Sequence, residues 1–280
     1  MLKITLMGAG GKMGCRITRA IKDNPDYQVS YVEVSDAGIA LLKELGVSVT
    51  PLEEALVDAD VVVLAIPDRL IGKITREIVP QLKSGAIVMG LDPAAAYAGV
   101  MPKRPDITYF VTHPCHPPLF GEQSTPEERN DWFGGMAAQD VVNALYQGPE
   151  EHYAIAERLA VNMWRPVRNS YRITVEQMAI LEPALVETFT LTLIDAMREA
   201  YEEVVKMGVP AEAAMAFLMG HLRVEFGIVF GWAGFPVSDG AKYAMTKARE
   251  LIFKPDWKKN ILNLEKIRQT VAEITDSVTK

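Results

Sequence analysis

Leu2-Lys3-Ile4-Thr5-Leu6-Met7-Gly8-Ala9-Gly10-Gly11-Lys12-Met13-Gly14 runs from an apolar strand into a glycine-rich turn, and an amphipathic stretch, Cys15 to Ile21, follows at once. A second apolar strand, Val29 to Val32, ends at Glu33. This order is that of a dinucleotide-binding β-α-β unit. Glycines let the backbone turn tightly and let a pyrophosphate come close to it. The helix start that follows offers unpaired N–H groups and a partial positive charge. An acid about 20 residues past such a loop accepts hydrogen bonds from a ribose 2′-hydroxyl. Glu33 occupies that place, and its carboxylate would repel a 2′-phosphate, so the pattern points to NAD rather than NADP. The expected cofactor residues are Gly8, Ala9, Gly10, Gly11, Lys12, Met13, Gly14 and Glu33, with Lys12 and Arg16 as cations within reach of a phosphate. The spacing is not the plain one. After Gly8 and Gly10 the third glycine position falls on Met13, whereas Gly8, Gly11 and Gly14 describe a loop one residue longer. A ligand-free turn is disfavoured, because four glycines in seven residues each cost conformational entropy on folding.

Composition narrows the class. With 280 residues the chain can form one long domain or two moderate ones, and a net charge of −7 argues against nucleic-acid binding. Two cysteines, Cys15 and Cys115, are too few for a disulfide framework and fit a reducing cytoplasm. Met1 leads straight into a core strand, so no signal peptide is expected. The most apolar late stretch, Ala213 to Phe235, is broken by His221, Arg223 and Glu225, and reads as a buried helix rather than a membrane span.

The first half alternates strands and helices, which predicts a Rossmann-type α/β fold with a doubly wound parallel sheet. After Glu33 come a helix over 37–45, a short strand at Val47 to Val49, a helix to Leu56, a strand over 61–66, a helix over 70–82, and strands over 86–91, 107–111 and 141–146. Polar residues from Leu119 to Trp132 suggest a functional loop. Strand signals fade near Ser170, and Glu176 to Met207 reads as one long helix carrying Pro183; helices over 211–230, 239–253 and 261–278 follow. The expected division is a cofactor domain over 1–168 and a helical substrate and dimerisation domain over 169–280.

Ligands in such sheets bind beyond the carboxyl ends of the strands. Besides the glycine loop, three strand ends qualify: Ala65-Ile66-Pro67-Asp68, Asp92 to Ala96, and Thr112-His113-Pro114-Cys115-His116-Pro117-Pro118. Small residues at the first two would let a cofactor lie against backbone, so Ala65, Ile66 and Pro67 join the cofactor set. His113 and His116 are the candidates for acid–base work, since histidine titrates near neutrality and prolines stiffen the chain around both. On the long helix, Glu182 and Glu187 stand in apolar company, and either can bind a metal or act as an acid.

The string Thr112 to Pro118, Phe133-Gly134-Gly135, the helix motif Thr174-Val175-Glu176-Gln177-Met178-Ala179-Ile180-Leu181-Glu182-Pro183 and Asp256-Trp257-Lys258 together resemble the D-apionate oxidoisomerases, nearly end to end. More distantly the layout is similar to 6-phosphogluconate dehydrogenases and ketol-acid reductoisomerases. The resemblance implies oxidation of the 2-hydroxyl of D-apionate by NAD, then an acyloin-type rearrangement to 3-oxo-isoapionate. It also implies a homodimer interlocked through the C-terminal helices. His113, His116 and Glu182 become the expected catalytic residues; if a magnesium ion takes part, Glu182 and Glu187 would hold it, and otherwise His113 and His116 work without metal. A plain dehydrogenase of another small hydroxy acid, or a non-catalytic dinucleotide sensor, is the alternative.

Overall fold

In the computed structural model, which describes residues 1–276, strand β1 (Leu2–Met7) buries four successive side chains, Ile4 to Met7. Burial on both faces requires helices on both sides, as in a parallel sheet. β1 pairs in parallel with β2 (Tyr27–Val32) and with β3 (Val61–Leu64). β4 (Ile87–Gly90) and β5 (Thr108–Pro114) extend the parallel ladder. β6 (Gln139–Gln147) then runs antiparallel to β5, and β7 (Val167–Arg172) parallel to β6. The sheet order is β2-β1-β3-β4-β5-β6-β7, so the topology switches between β1 and β3. That is where such sheets open a crevice for a ligand.

Two apolar layers flank the sheet. On one side, Ile17 and Ile21 of α1 (Lys12–Ile21), Leu42 of α2 (Asp36–Glu44) and Leu159 and Met163 of α7 (Glu151–Met163) pack on Ile4, Leu6 and Val63. On the other, α3 (Leu52–Leu56) and α4 (Asp68–Ile78) bring Leu56, Ile71 and Ile78 onto Met7, Val62 and Val88. Trp164 is fully buried, and its indole N–H donates to Thr112 Oγ1 at 3.0 Å. A short α5 (Ala94–Tyr97) and α6 (Pro126–Arg129) lie in the connections.

The fold class is the expected one, with four differences in detail. Val47 to Val49 makes only a single bridge, Tyr31 to Val49, because the four residues between Gly46 and Pro51 leave no room for a ladder. The strand ends singled out above therefore belong to β3, β4 and β5. The last two strands depart from the all-parallel sheet. β7 carries no strand signal because its sequence, Val-Arg-Asn-Ser-Tyr-Arg, is polar and mostly exposed. The compact units are residues 1–181 with the chain from Arg268 onward, and residues 182–267, rather than a division at 168. The reason is packing: β7 joins the sheet, and Val175 and Met178 of α8 (Val175–Ala179) bury against Val142 and Ala144. From Arg268 the chain rejoins this unit, where Val271 is buried and Arg268 pairs with Glu176 at 3.0 Å.

A continuous helix runs over Val175–Lys206, long and apolar enough to cross a membrane by length and composition alone. Its N-terminus is a capping box between Thr174 and Gln177. Pro183, which has no N–H to donate, does not break it. Instead Ile180–Thr190 widens into a π-helix before α9 (Leu191–Lys206) resumes. The hydroxyls of Thr188 and Thr190 reach back five residues, to the carbonyls of Pro183 at 2.6 Å and Leu185 at 2.8 Å. The second unit continues with α10 (Ala211–Val229), α11 (Asp239–Ile252) and α12 (Trp257–Ile261), and α13 (Leu264–Asp276) closes the described chain. The helix read over 261–278 starts at Leu264, after α12 ends at Ile261, and its last residues lie outside the described ones. The expectation of a buried helix near 213–235 fails: α10 has no buried residue, and its apolar side chains are half-buried or exposed within one chain.

Gly14 fixes how α1 meets the sheet. A Cβ there would stand 2.1 Å from the Gly8 carbonyl oxygen and 2.7 Å from the Ala9 Cα. Gly14→Ala should therefore cost about 3 kcal/mol of stability, since rigid backbone on both sides must give way. Urea denaturation checks this.

Candidate active site

The glycine loop divides its labour. Gly8 adopts a left-handed φ of +70°, and a Cβ on it would lie 2.3 Å from the Ala65 carbonyl oxygen, so the turn is pressed onto the chain leaving β3. Gly10 faces the backbone of Gly38, where an added Cβ would come within 2.4 Å of it. Gly11 is different: an added Cβ would meet nothing closer than the Gly8 carbonyl oxygen at 3.3 Å. Gly11 is the N-cap of α1, and neither a side-chain cap nor an acid occupies the first turn. The first N–H groups of α1 thus have no side-chain cap, which fits a pyrophosphate. Close backbone contact thus demands glycine at Gly8, Gly10 and Gly14, while Gly11 caps α1. Ala9 is fully buried and Met13 packs on the core, so these two contribute backbone only. Ala65, Ile66 and Pro67 carry the chain from β3 to α4 at the same edge.

Glu33 is built into this loop. Its Oε2 accepts the Gly10 N–H at 2.9 Å, while Oε1 accepts the N–H groups of Val34 and Ser35 and the Ser35 hydroxyl at 2.9 to 3.0 Å. Burial alone would raise its pKa, but these hydrogen bonds together outweigh that and hold the carboxyl below its ordinary range. An ionised acid beside the loop fits a ribose diol and disfavours a phosphate.

The other chemistry sits at the end of β5. His113, within the strand, donates from Nδ1 to the Leu91 carbonyl at 2.8 Å. His116, just beyond it, donates from Nδ1 to the Phe133 carbonyl at 2.9 Å. A carbonyl only accepts, so each Nδ1 carries a proton and each neutral ring holds its lone pair on Nε2. The ring centroids are 6.1 Å apart. His116 has a φ of +61°, an uncommon conformation for a residue with a side chain and one that clusters at functional sites. Asp68, at the first turn of α4, lies close enough to His113 to interact with it electrostatically, and its burial leaves its pKa raised.

The chain returns over these groups at 131–137. The Asp131 carboxylate accepts N–H groups of Gly134, Met136 and Ala137 at 2.8 to 2.9 Å, which wraps the loop around it. Burial opposes ionisation there too, and the same N–H groups overcome it, leaving the pKa low. A cavity of about 520 Å³ runs from Gly10, Gly11 and Lys12 to Phe133 and Gly134. Lys12 stands 4.0 Å over the Phe133 ring. Arg16, expected to face a phosphate, is instead buried and donates to the Phe133 carbonyl at 2.6 Å. Sequence reading placed Asp68 at a qualifying strand end without giving it a role, and missed Asp131, which only its neighbours in space mark.

Glu182 and Glu187 belong to the second unit. They stand on the π-helical stretch, half-buried and exposed respectively. Among the described residues no three His, Cys, Asp or Glu side chains group together to hold a metal ion. The pair does not by itself make a magnesium site, and no step is assigned to a metal.

Fold and site define an NAD-dependent oxidoreductase acting on a CH–OH group. Residues 121–275 match the family described as phosphogluconate dehydrogenase (decarboxylating), C-terminal, and residues 2–68 match dihydrodipicolinate reductase, N-terminus. The chain is 47% identical over 275 residues to a D-apionate oxidoisomerase of Cupriavidus necator, covering 98% of this chain and 99% of that protein. It is 46% identical over 277 residues to one of Rhizobium rhizogenes, covering 98% and 100%. The chain belongs to the D-apionate oxidoisomerase family. A crystal structure of a semialdehyde dehydrogenase NAD-binding protein from Cupriavidus necator, in complex with calcium and NAD, superimposes with a TM-score of 0.95 at 46% identity, covering 98% of this chain and 100% of that one.

Glu33→Gln should weaken NAD binding about tenfold, the worth of one charge-assisted hydrogen bond. Calorimetric titration measures it. Because Glu33 and Asp131 have lowered folded-state pKa values, their stabilisation is present above about pH 4 and is lost as pH falls through those values. The melting temperature should drop on acidification below pH 4, and less steeply in Glu33→Gln.

Proposed function

We propose that this chain is an NAD-dependent oxidoisomerase that converts D-apionate to 3-oxo-isoapionate. The observation that carries the reading is the pair His113 and His116, 6.1 Å apart with both Nδ1 atoms tied to backbone carbonyls. NAD, when bound, accepts the hydride from C2. The residues of the chain handle the protons. One histidine Nε2 takes the proton of the 2-hydroxyl as the C2–H bond breaks, and becomes an imidazolium. The rearrangement then needs the tertiary hydroxyl deprotonated and the neighbouring new carbonyl polarised. The neutral histidine takes the first proton, and the imidazolium donates to the carbonyl oxygen. The carbon–carbon bond to the migrating group breaks at C3 and forms at C2. One histidine is then neutral again, and the other releases to solvent the proton that accompanies the oxidation. Two bases are thus needed, one per oxygen, and two are present.

Exposed apolar side chains on the second unit, among them Leu191, Ile194, Phe217, Met219 and Val229, support a homodimer through its helices. Neither Cys15 nor Cys115 forms a disulfide among the described residues, which supports residence in the cytoplasm.

Purified protein with NAD and D-apionate should form NADH, and carbon NMR should show a rearranged skeleton. An unrearranged 2-oxo acid would reduce the activity to that of a plain dehydrogenase, and tight NAD binding with no turnover would point to a sensor. His113→Asn and His116→Asn should each lower kcat by about 10²- to 10⁴-fold with NAD affinity kept. Sedimentation should give a dimer; a stable, active monomer would remove that assignment.

A further inference from the structure

Arg16 is a poor fit to ordinary roles for its residue type. It lies in the second turn of the cofactor helix α1, only 6% exposed. No carboxylate forms a salt bridge with it among the described residues. Its guanidinium lies between two rings, 5.2 Å from the Phe133 centroid and 5.1 Å from that of Trp164. Nη1 donates to the Phe133 carbonyl, while Nε and Nη2 are buried without a hydrogen-bond partner. Gly134 closes over it: a Cβ there would stand 2.2 Å from Nη2. Burying a cation this way costs several kcal/mol by the usual scale, and packing alone would be served better by Met or Leu.

What the charge does is visible in its one acceptor. The Phe133 carbonyl oxygen takes two hydrogen bonds, from Arg16 Nη1 at 2.6 Å and from His116 Nδ1 at 2.9 Å. We propose that Arg16 is a positioning residue for His116, acting through this shared carbonyl to fix the ring's tautomer and to keep the resting ring neutral. The reading rests on His116 serving as a base. Arg16 orients the carbonyl toward the ring, so Nδ1 must donate and the lone pair stays on Nε2. A fixed positive charge at the same oxygen disfavours a second one on the imidazole. Burial lowers the Arg16 pKa to about 10, with Asp131 opposing, so it stays charged at neutrality. The other titratable groups around the ring are Lys12 over the Phe133 face, Asp131 with its three N–H donors, Cys115 next in the chain, and His113. Among these, Arg16 alone shares the acceptor. The inference links the cofactor helix directly to the proton-transfer chemistry.

The test uses nitrogen-15 NMR of histidine-labelled enzyme together with the pH profile of kcat on D-apionate and NAD. In the wild type, His116 should show Nδ1 protonated when neutral; the opposite tautomer would overturn the proposal without any variant. Arg16→Met should raise the His116 titration midpoint by about one unit and move the acid limb of kcat upward with it. Arg16→Lys, which keeps the charge, should restore much of the shift. NAD affinity should change less than about threefold, since a loosened helix alone would alter KM rather than the limb. An unmoved His116 midpoint in a folded Arg16→Met enzyme would sink the idea. If His116→Asn leaves turnover intact, the base assignment falls, while the NMR titration still decides whether Arg16 holds the ring.

Discussion

Where β1 hands over to α1, backbone meets backbone with no side chain between. Gly14 rests on the Gly8 carbonyl and Gly8 rests on the Ala65 carbonyl, so helix, turn and the end of β3 are locked at contact distance. The cofactor loop and its helix are placed by reference to that lock. It aims the open N-terminus of α1 past Gly11, brings Glu33 within hydrogen-bond reach of Gly10, and buries Arg16 one turn further on beneath the 131–137 loop. Close approach of this kind is available only to glycine, because an added methylene would have to displace main chain rather than a side chain.

The site is assembled from segments more than a hundred residues apart, and its parts are polar groups that satisfy one another's needs. Asp131 gathers N–H groups that a tight turn would leave orphaned. The Phe133 carbonyl exposed by that turn then serves both a cation and an imidazole. His113 uses the Leu91 carbonyl in the same way. Anchoring rings to main chain holds them more rigidly than another side chain would, since the carbonyls have no rotamers to lose.

Much of this was legible in the sequence because period and punctuation were strong. The strand–glycine–helix order, the acid at Glu33 and the paired histidines in a proline-stiffened turn all lie within short windows. What stayed hidden was set by tertiary contact. β7 reads as loop because neither of its faces is apolar, and it becomes a strand only because β6 offers a free edge. The long helix reads as one from its periodicity, but periodicity assumes an α-helical register and gives no sign of the π-helical widening that absorbs Pro183. Arg16 reads as a phosphate ligand because a cation near a glycine loop usually is one. Its true partner, the Phe133 carbonyl, is 117 residues away.

The same unassuming β7 has a bearing on how copies of this chain meet in a crowded cell. An outermost strand offers a row of main-chain donors and acceptors to any passing strand, and flat apolar edges recruit neighbours into growing sheets. Here the edge is lined by Arg168, Asn169, Ser170 and Arg172, with Arg168 paired to Asp140 and Arg172 to Glu150. An incoming strand would have to strip water from those charges. The sheet is thereby closed to indefinite extension at this end.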